Sequence, residues 1–427
     1  MGNNPQQQPL LLIIAPPSSY RLAPYLRAAE SLGLTPLIVS DGRHSLVTEV
    51  AQGLHIDFAD GDTALAHILT LAQQQTIAGV VATDDFTVTL AARIAQALDL
   101  PCNPPASAAI ASRKDLSRAC LQQAGLPVPT FKLLQLEQDL APQLQDIPLP
   151  CVIKPLSLSA SRGVMRADSH AALLAACERL RPILQDQHDP ALRHTALLEA
   201  YLPGVEVAVE GIFHDGQFHC LAIFDKPDPL QGPFFEETYY VTPSRLAGVV
   251  QARIEQCTAA ACRALGFVTG PVHAEMRIVD EQPWLLEVAA RTIGGECARL
   301  LQMGTGHSLE QLVVAYATGQ PLHVEPMTES AGVLMIPTPK SGVLRRVEGV
   351  LAAQQIAYIE DVHINIREGN ELVALPEGAS YLGFIFARGP DPATVEQALR
   401  AAHAQLNIVV APLWKIEGMP GLAKVGN

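Results

Sequence analysis

Two acidic residues in the second half of the chain carry the strongest chemical signal. Glu275 and Glu287 lie in the segment Val272–Ala289, whose pattern of apolar and polar residues predicts a β-hairpin. If the turn is centred on Glu281, the two carboxylates lie directly opposite each other, where like charges destabilise a sheet. Glu287 also lies inside the apolar run Trp284–Ala290, where an unpaired carboxylate is costly.

A cation that bridges the two carboxylates would remove both penalties. Carboxylate oxygens with little nitrogen or sulfur nearby favour Mg²⁺ or Mn²⁺. The alternative is a structural ion network in which Arg277 or Arg291 pairs with the same carboxylates. The spacing alone leaves both interpretations open.

A second candidate site follows the short apolar strand that begins at Cys151 and ends at Lys154. The loop after it, Pro155–Gly163, is rich in serine and closes with glycine, so its backbone N–H groups and hydroxyls could turn toward an anion. A lysine at the strand end can hold phosphate oxygens. An ordinary polar hairpin turn would have the same composition. The chain has neither a dinucleotide-binding Gly-x-Gly-x-x-Gly after its first strand nor a P-loop, which counts against both of those classes.

The first hundred residues alternate between apolar runs and helical patterns. The runs Leu10–Ala15, Thr35–Val39 and Ile77–Ala82 predict strands, and Tyr20–Leu32 and Phe86–Leu98 predict helices between and after them. Strands that alternate with helices of this length indicate a parallel sheet with both faces covered.

The rest of the chain predicts a mixture of helices and antiparallel strands. From Ser330 onward the pattern changes to short strands with one helix, which indicates a small α+β domain. The segment Lys226–Thr242, rich in proline, glycine and aromatic residues, is predicted to be a mobile loop. Further predicted elements are the helices Lys114–Ala124 and Arg245–Leu265, and a hairpin of Val205–Phe213 and Phe218–Phe224 with its turn at Asp215-Gly216.

Composition narrows the class of protein. The chain has 427 residues, enough for about three domains at roughly 150 residues each. Its 48% hydrophobic content excludes disorder, and 29 basic against 43 acidic residues give a net charge of −14. That charge argues against nucleic acid or an anionic membrane as the main partner. Scattered cysteines, no zinc-type spacing and no basic secretion signal in Met1–Pro9 predict a soluble cytoplasmic protein.

Taken in order, these pieces resemble the ATP-grasp superfamily of carboxylate–amine ligases. The resemblance extends over about Leu10 to Ala387, and it is strongest to the branch of L-amino acid ligases that make dipeptides. The residues that carry it are Lys114, Lys154 with its Ser/Gly loop, Leu198–Glu206, Glu275, and Glu287–Gly295 with Arg291 and Gly294-Gly295.

The resemblance implies an ATP site. Its residues would be Lys114 and Lys154 at the α- and β-phosphates, Ser157, Ser159, Ser161 and Gly163 closing over the triphosphate, Glu199, Tyr201 and Leu202 as the adenine hinge, and Glu206 at the ribose hydroxyls. Sequence alone does not separate these roles from a core position for Tyr201 and Leu202 or an exposed strand carboxylate at Glu206.

The resemblance also implies the catalytic and metal residues. Glu275 and Glu287 would hold the Mg²⁺ or Mn²⁺ ions that bridge the phosphates. Arg291 would hold the acyl-phosphate, unless it is a surface ion-pair partner. Lys226 would reach the γ-phosphate or the substrate carboxylate.

Two positions depart from the family pattern. Many ATP-grasp proteins have asparagine two residues after the second acidic ligand, where this chain has Ala289, as in the dipeptide-ligase branch. That leaves one side-chain metal ligand fewer, so water or phosphate must replace it. The dipeptide-ligase branch commonly has Gly-His before a valine, where this chain has Tyr239-Tyr240. A histidine that could assist the amine is therefore missing.

The implied architecture has three parts. Residues 1–108 form a Rossmann-like α/β domain, residues 109–329 an ATP-grasp domain with two α+β lobes (109–198 and 199–329), and residues 330–427 a small α+β domain. The implied activity is ATP-dependent formation of a C–N bond through an acyl-phosphate, giving a dipeptide or amino-acid amide. Its partners would be a carboxylate and an amine, and a homodimer is compatible with this kind of enzyme. The alternatives are a biotin-carboxylase-like or purine-pathway ATP-grasp enzyme, a non-catalytic ATP-binding regulator and an NAD-dependent enzyme.

Overall fold

The computed structural model describes residues 8–17, 19–41, 53–145, 147–187, 189–324 and 329–413, without the side chains of residues 303–305. The start of the chain, in which the sequence predicts no secretion signal, lies outside the described residues up to position 7. Within the described ranges, no helix is both long enough and apolar enough to cross a membrane.

The N-terminal unit is a parallel sheet with the strand order β3-β2-β1-β4. Strand β1 is an apolar run without an exposed residue, as expected when helices cover both faces. The chain winds outward in both directions from β1, so the ends of β1 and β4 form a topological switch point. The elements are β1 (Leu10–Ile14), α1 (Leu22–Ser31), β2 (Thr35–Asp41), β3 (Gly53–Ile56), α2 (Gly61–Ala72), β4 (Ile77–Ala82) and α3 (Asp85–Ala97).

The next unit is a four-stranded antiparallel sheet with the order β5-β8-β6-β7. Leu173, Cys177 and Leu180 on one face of α7 are fully buried and belong to the same apolar cluster as Ile153 of β6. The elements are α4 (Pro105–Ala111), α5 (Lys114–Gln123), β5 (Phe131–Gln135), α6 (Leu140–Gln143), β6 (Cys151–Pro155), β7 (Met165–Ala167), α7 (His170–Leu184) and β8 (Thr195–Ala200).

The largest unit is an eight-stranded antiparallel sheet with the order β13-β12-β9-β10-β11-β14-β18-β16. The β9–β10 hairpin turns at Asp215-Gly216, as its sequence predicts. The elements up to residue 317 are β9 (Val205–His214), β10 (Gln217–Lys226), β11 (Tyr239–Thr242), α8 (Gly248–Ala264), β12 (Thr269–Val279), β13 (Gln282–Ala289), α9 (Ala298–Thr305) and α10 (Leu309–Ala317).

The C-terminal residues complete this large sheet and add a smaller one. Strands β14, β16 and β18 extend the large sheet, and β17, β15 and β19 form a second sheet in that order. The predicted boundary at residue 330 therefore falls inside a continuous sheet, and the three-part division stays a prediction. The elements are β14 (Ser330–Ile336), β15 (Gly342–Glu348), α11 (Val350–Gln354), β16 (Ile359–Ile364), β17 (Glu371–Leu372), β18 (Gly383–Gly389), α12 (Pro392–His403) and β19 (Asn407–Ala411).

The segment Lys226–Thr242, predicted to be a mobile loop, is β-strand at both ends. Lys226 is the last residue of β10, and Tyr239–Thr242 forms β11. Strand β11 pairs with β14, a long-range partner that local composition cannot reveal.

Candidate active site

A cavity of about 660 Å³ lies where the three units meet, a volume in the range of small-molecule sites. Of the residues that the sequence singles out, it is lined by Lys114, Lys154, Ser159, Ser161, Glu199, Tyr201, Leu202, Glu206, Glu275, Glu287 and Arg291. Three others do not line it, namely Ser157, Gly163 and Lys226.

Glu275 and Glu287 are paired across the β12–β13 hairpin, as the sequence predicts, but for a different reason. The turn has two residues rather than a single central one, because Val279 pairs with Gln282. That turn alone would place Glu275 opposite Leu286. A β-bulge at Leu286 shifts the register by one residue and restores the Glu275–Glu287 pair.

The two glutamates have different cationic neighbours. The Glu287 carboxylate lies 3.5 Å from Nζ of Lys114 and 3.7 Å from Nη2 of Arg291, and its side chain is about a quarter exposed. Glu275 accepts a 2.9 Å hydrogen bond from Nζ of Lys226. The ion network considered as an alternative is thus partly present, with Arg291 near Glu287. Arg277 instead binds Glu206, at 2.9 Å.

Lys226 lies inside a cluster of three carboxylates. Its Nζ donates to Glu206, Glu237 and Glu275 at 2.8–2.9 Å, and its side chain is almost fully buried. Burial would lower the pKa of Lys226, but the three carboxylates raise it well above the ordinary value. Among the described residues, these carboxylates are also the group of three potential ligand side chains that lie close enough together to hold a metal ion, and the Lys226 ammonium lies among them. Lys226 therefore acts as their counterion.

Glu237 was not predicted to be in the site. Its burial, with the negative charges of Glu275 and Glu206, raises its pKa to about 7 in spite of Lys226. The hydroxyl of Tyr240 donates a 2.7 Å hydrogen bond to it. The tyrosine at the departure from the family pattern therefore binds a carboxylate of the cavity.

Lys154 lies beside the buried Glu199. The Lys154 ammonium binds one carboxylate oxygen of Glu199, and Nε of Arg118 binds the other at 2.6 Å. Burial would raise the pKa of Glu199, but Arg118 and then Lys154 lower it below its ordinary value. Burial also lowers the pKa of Lys154, which Glu199 opposes. Arg118 was not predicted to be in the site, because its role depends on the tertiary contact with Glu199, although it lies one helical turn after Lys114.

Arg291, which follows the end of strand β13, binds the N-terminal unit. Its Nε donates to Oδ1 of Asp85 at 2.8 Å, and its Nη1 donates to the carbonyl of Thr292. Burial would lower the pKa of Arg291, but Asp85 and Glu287 raise it above the ordinary value, so the guanidinium stays charged. The backbone N–H of Gly295 donates to the Tyr20 hydroxyl at 2.9 Å. The switch point of the N-terminal sheet thus faces the Arg291–Gly295 loop.

A buried pair lies beneath this loop. Glu210 accepts a hydrogen bond from the backbone N–H of Ile293, and its carboxylate lies 3.4 Å from Nδ1 of His273. Nε2 of His273 lies 3.6 Å from Glu275. Burial would lower the pKa of His273, but Glu210 and Glu275 raise it to about 9. The raised pKa favours the protonated imidazolium, whereas burial raises the pKa of Glu210 above its ordinary value in spite of His273.

The serine-rich loop Pro155–Gly163 does not form only a local turn. It also contacts Pro376 and Glu377 in the C-terminal part of the chain. The N–H of Gly163 donates to the carbonyl of Pro376 at 2.8 Å, and Nε of Arg162 donates to the carbonyl of Glu377. The Ser157 hydroxyl donates to the side chain of Gln187. These bonds explain why Ser157 and Gly163 lie outside the cavity wall while Ser159 and Ser161 line it.

Three family descriptions match consecutive parts of the chain. They are the ATP-grasp N-terminal domain over residues 26–102, the ATP-grasp domain over residues 147–299 and the L-amino acid ligase C-terminal domain 2 over residues 334–411.

The chain is also similar to individual proteins of known structure or function. The crystal structure of an L-amino acid ligase from Bacillus licheniformis superposes with a TM-score of 0.82 and 26% identity, covering 95% of this chain and 100% of that one. Carnosine synthase 1 of Mus musculus is 27% identical over 63% of this chain and 34% of its own length. Alanine–anticapsin ligase of Bacillus subtilis is 26% identical over 47% of this chain and 45% of its own. The chain therefore spans less than half of these two curated relatives.

These matches identify the chain as an ATP-grasp enzyme that is similar to ATP-dependent carboxylate–amine ligases and carries an L-amino acid ligase C-terminal domain. The resemblance predicted from the sequence, the fold class and the enzyme class are confirmed. The roles of individual residues stay predictions.

Proposed function

We propose that this enzyme joins the carboxylate of an amino acid, or of a similar acid, to an amine and releases ADP and phosphate. The carboxylate attacks the γ-phosphate of ATP to give an acyl-phosphate. The amine then attacks the acyl carbon, loses a proton and expels phosphate. The product is a dipeptide or an amino-acid amide.

The observation that carries this proposal is the arrangement around Glu287. Its carboxylate lies opposite Glu275 and between Lys114 and Arg291, in a cavity that Lys154 also lines. Phosphoryl transfer mainly requires cations placed against negative charge that spreads over phosphate oxygens. Cationic groups on several sides of one carboxylate pair fit that requirement, and the C-terminal domain favours the L-amino acid ligase branch over the biotin-carboxylase and purine alternatives.

The metal assignment rests on the donor set. Glu275 and Glu287 offer carboxylate oxygens, which are the ligands that Mg²⁺ and Mn²⁺ prefer. A bound ion would neutralise phosphate charge and remove the repulsion between the two opposed glutamates. Ala289 supplies no ligand, so the ion would keep water or phosphate oxygens in its remaining positions.

The nucleotide roles follow from position on the cavity wall. Lys114 and Lys154 would bind phosphate oxygens, and Ser159 and Ser161 would donate hydroxyls to the triphosphate. The backbone at Tyr201 and Leu202 would contact adenine. Glu199 is predicted to belong to the same hinge, but its two carboxylate oxygens bind Lys154 and Arg118, so we propose that it holds Lys154 in place.

Two predicted roles compete with observed contacts. Both oxygens of Glu206 already bind side chains, Lys226 at one and Arg277 at the other, so a bond to ribose would be shared with these. Lys226 would first have to leave three carboxylates to reach a phosphate. We therefore propose that Lys226 balances the charge of the acidic cluster.

Arg291 is proposed as the residue that holds the acyl-phosphate. Its guanidinium is fixed by Asp85, and Gly294-Gly295 let backbone approach a bound acyl group. A fixed cation at that point stabilises the negative charge that grows in both steps, and so it favours the transition state over the ground state.

The test is phosphate release from MgATP against a panel of amino acids, with mass spectrometry of the products. Release that depends on both an acid and an amine, with a condensed product, supports the proposal. ATP binding without turnover for any pair would favour the non-catalytic regulator instead. The predicted cytoplasmic location, the homodimer and the lack of nucleic-acid or membrane partners stay predictions.

A further inference from the structure

Arg118 makes an unusual set of contacts for a residue that does not line the cavity. Its side chain is 1% exposed and is the largest fully buried side chain among the described residues. It lies one turn after Lys114 on α5, so both residues belong to the same helix face. Lys114 reaches the site, where it lies near Glu287, whereas Arg118 points into the protein behind it.

One end of the Arg118 guanidinium binds Glu199, the residue that pairs with Lys154. Nε of Arg118 donates to Glu199 at 2.6 Å, and the other oxygen of Glu199 binds Lys154. Without Arg118, the buried Glu199 would keep one cation instead of two. The position of Lys154 would then depend on a single charge pair.

The other end of the guanidinium binds the backbone of β13, the strand that contains Glu287. Nη1 donates to the carbonyl of Leu285 at 3.1 Å, and Nη2 donates to the carbonyl of Leu286 at 2.6 Å. Leu286 is the bulged residue that sets Glu287 opposite Glu275. Strand β13 is the edge of its sheet, so carbonyls that point away from β12 need a partner from outside the sheet, and Arg118 provides donors there.

We propose that Arg118 is a positioning residue that couples the phosphate-binding lysine to the metal-binding strand, by fixing Glu199 and the Leu286 bulge with one guanidinium. The proposal deepens the proposed function, since it rests on Glu287 as a metal ligand. A planar guanidinium places three donor nitrogens at fixed angles, whereas a lysine ammonium has a single nitrogen and cannot reach all three acceptors.

The test is a titration of Mn²⁺ in the presence of ADP, followed by electron paramagnetic resonance, which needs no turnover. Arg118→Lys should raise the Mn²⁺ dissociation constant by about tenfold or more, the scale seen when a group that orients a metal ligand is changed. It should also lower kcat more than it raises the KM for ATP. The matched control is Leu121→Ala on the same helix, a fully buried apolar residue. It should lower the melting temperature and leave the Mn²⁺ constant within about twofold.

Two further variants separate the possible outcomes. Glu287→Gln should weaken Mn²⁺ strongly. If it does not, the metal assignment in the proposed function is wrong and the coupling fails with it. If Glu287→Gln weakens Mn²⁺ but Arg118→Lys behaves like Leu121→Ala, the coupling alone is overturned. Should Arg118→Lys fail to fold, Glu199→Gln tests the same link from the nucleotide end. It should also weaken Mn²⁺, and an unchanged constant would overturn the proposal.

Discussion

Nε of Arg291 donates a 2.8 Å hydrogen bond to Oδ1 of Asp85, across 206 positions of sequence. Asp85 is the first residue of α3, and Arg291 follows the end of β13 by two residues. Burial would raise the pKa of Asp85, but Arg291 and Lys114 lower it below the ordinary value, so the pair is ionic. The N-terminal unit therefore fixes the guanidinium in place before any substrate arrives.

This arrangement predicts the behaviour of Arg291 variants. Arg291→Ala should keep ATP binding nearly normal and lose about a hundredfold or more in product formation, the scale for one preorganised donor. Arg291→Lys should restore only part of the rate, because an ammonium cannot make two parallel bonds. Steady-state rates and ATP titrations measure both. If Arg291→Ala instead loses ATP affinity and thermal stability while turnover per bound ATP is kept, Arg291 is a structural ion-pair partner.

Glu287→Gln should abolish most magnesium-dependent turnover while the fold stays intact. The substitution keeps the shape of the side chain and removes the charge that faces Glu275. Circular dichroism checks the fold, and rates are measured over a range of Mg²⁺ concentrations. Wild-type turnover at ordinary magnesium would refute the assignment.

Lys154→Met should weaken ATP binding by roughly 1.5–3 kcal/mol, the value of a charge-assisted contact. It should also lower the melting temperature, because the buried Glu199 then keeps Arg118 as its one cation. The double variant Lys154→Met/Glu199→Gln should lose further stability, because Arg118 is then buried without a counterion, while ATP affinity stays as in Lys154→Met. Calorimetric titration with ATP and thermal melts separate the two effects. Unchanged ATP affinity in Lys154→Met would make that lysine purely structural.

The raised pKa of His273 predicts that the stability of the metal-free protein depends on pH. Its pKa is raised from 6.5 to about 9, so its stabilising contribution is complete below pH 6.5 and is lost as pH rises through 9. The loss is on the order of 3 kcal/mol at 1.36 kcal/mol per unit of pKa. Melting curves between pH 6 and 10 should fall more steeply for wild type than for His273→Gln. The exposed His219→Gln is the control and should follow wild type. Parallel curves for all three would show that folding does not raise the pKa of His273.

The parts of the site that follow from local pattern could be predicted from the sequence. The opposed glutamates follow from strand alternation, and Lys154 follows from its position at a strand end. The reason for the glutamate pairing could not be predicted, because a two-residue turn and a bulge at Leu286 offset each other. Alternation alone does not show where an extra residue enters a strand.

The residues that sequence reasoning missed act through long-range contacts. Arg118 binds Glu199, which is 81 positions further along the chain. Glu237 lies in a segment whose composition suggests a loop, and its place in the acidic cluster depends on Lys226. Burial and pairing of such charges depend on tertiary packing, which periodicity does not contain.

The pairing of β11 with β14 has a consequence for how the molecule folds. Four residue pairs, from Tyr239–Leu334 to Thr242–Ala331, join the nucleotide-binding part to the C-terminal part within one sheet. A chain cut before β14 would leave β11 as an open edge with unpaired backbone groups, ready to pair with other molecules. The C-terminal part is therefore not a detachable accessory. We expect it to melt cooperatively with the rest of the large sheet, and replacing it with the corresponding part of a relative would require a new β11–β14 interface.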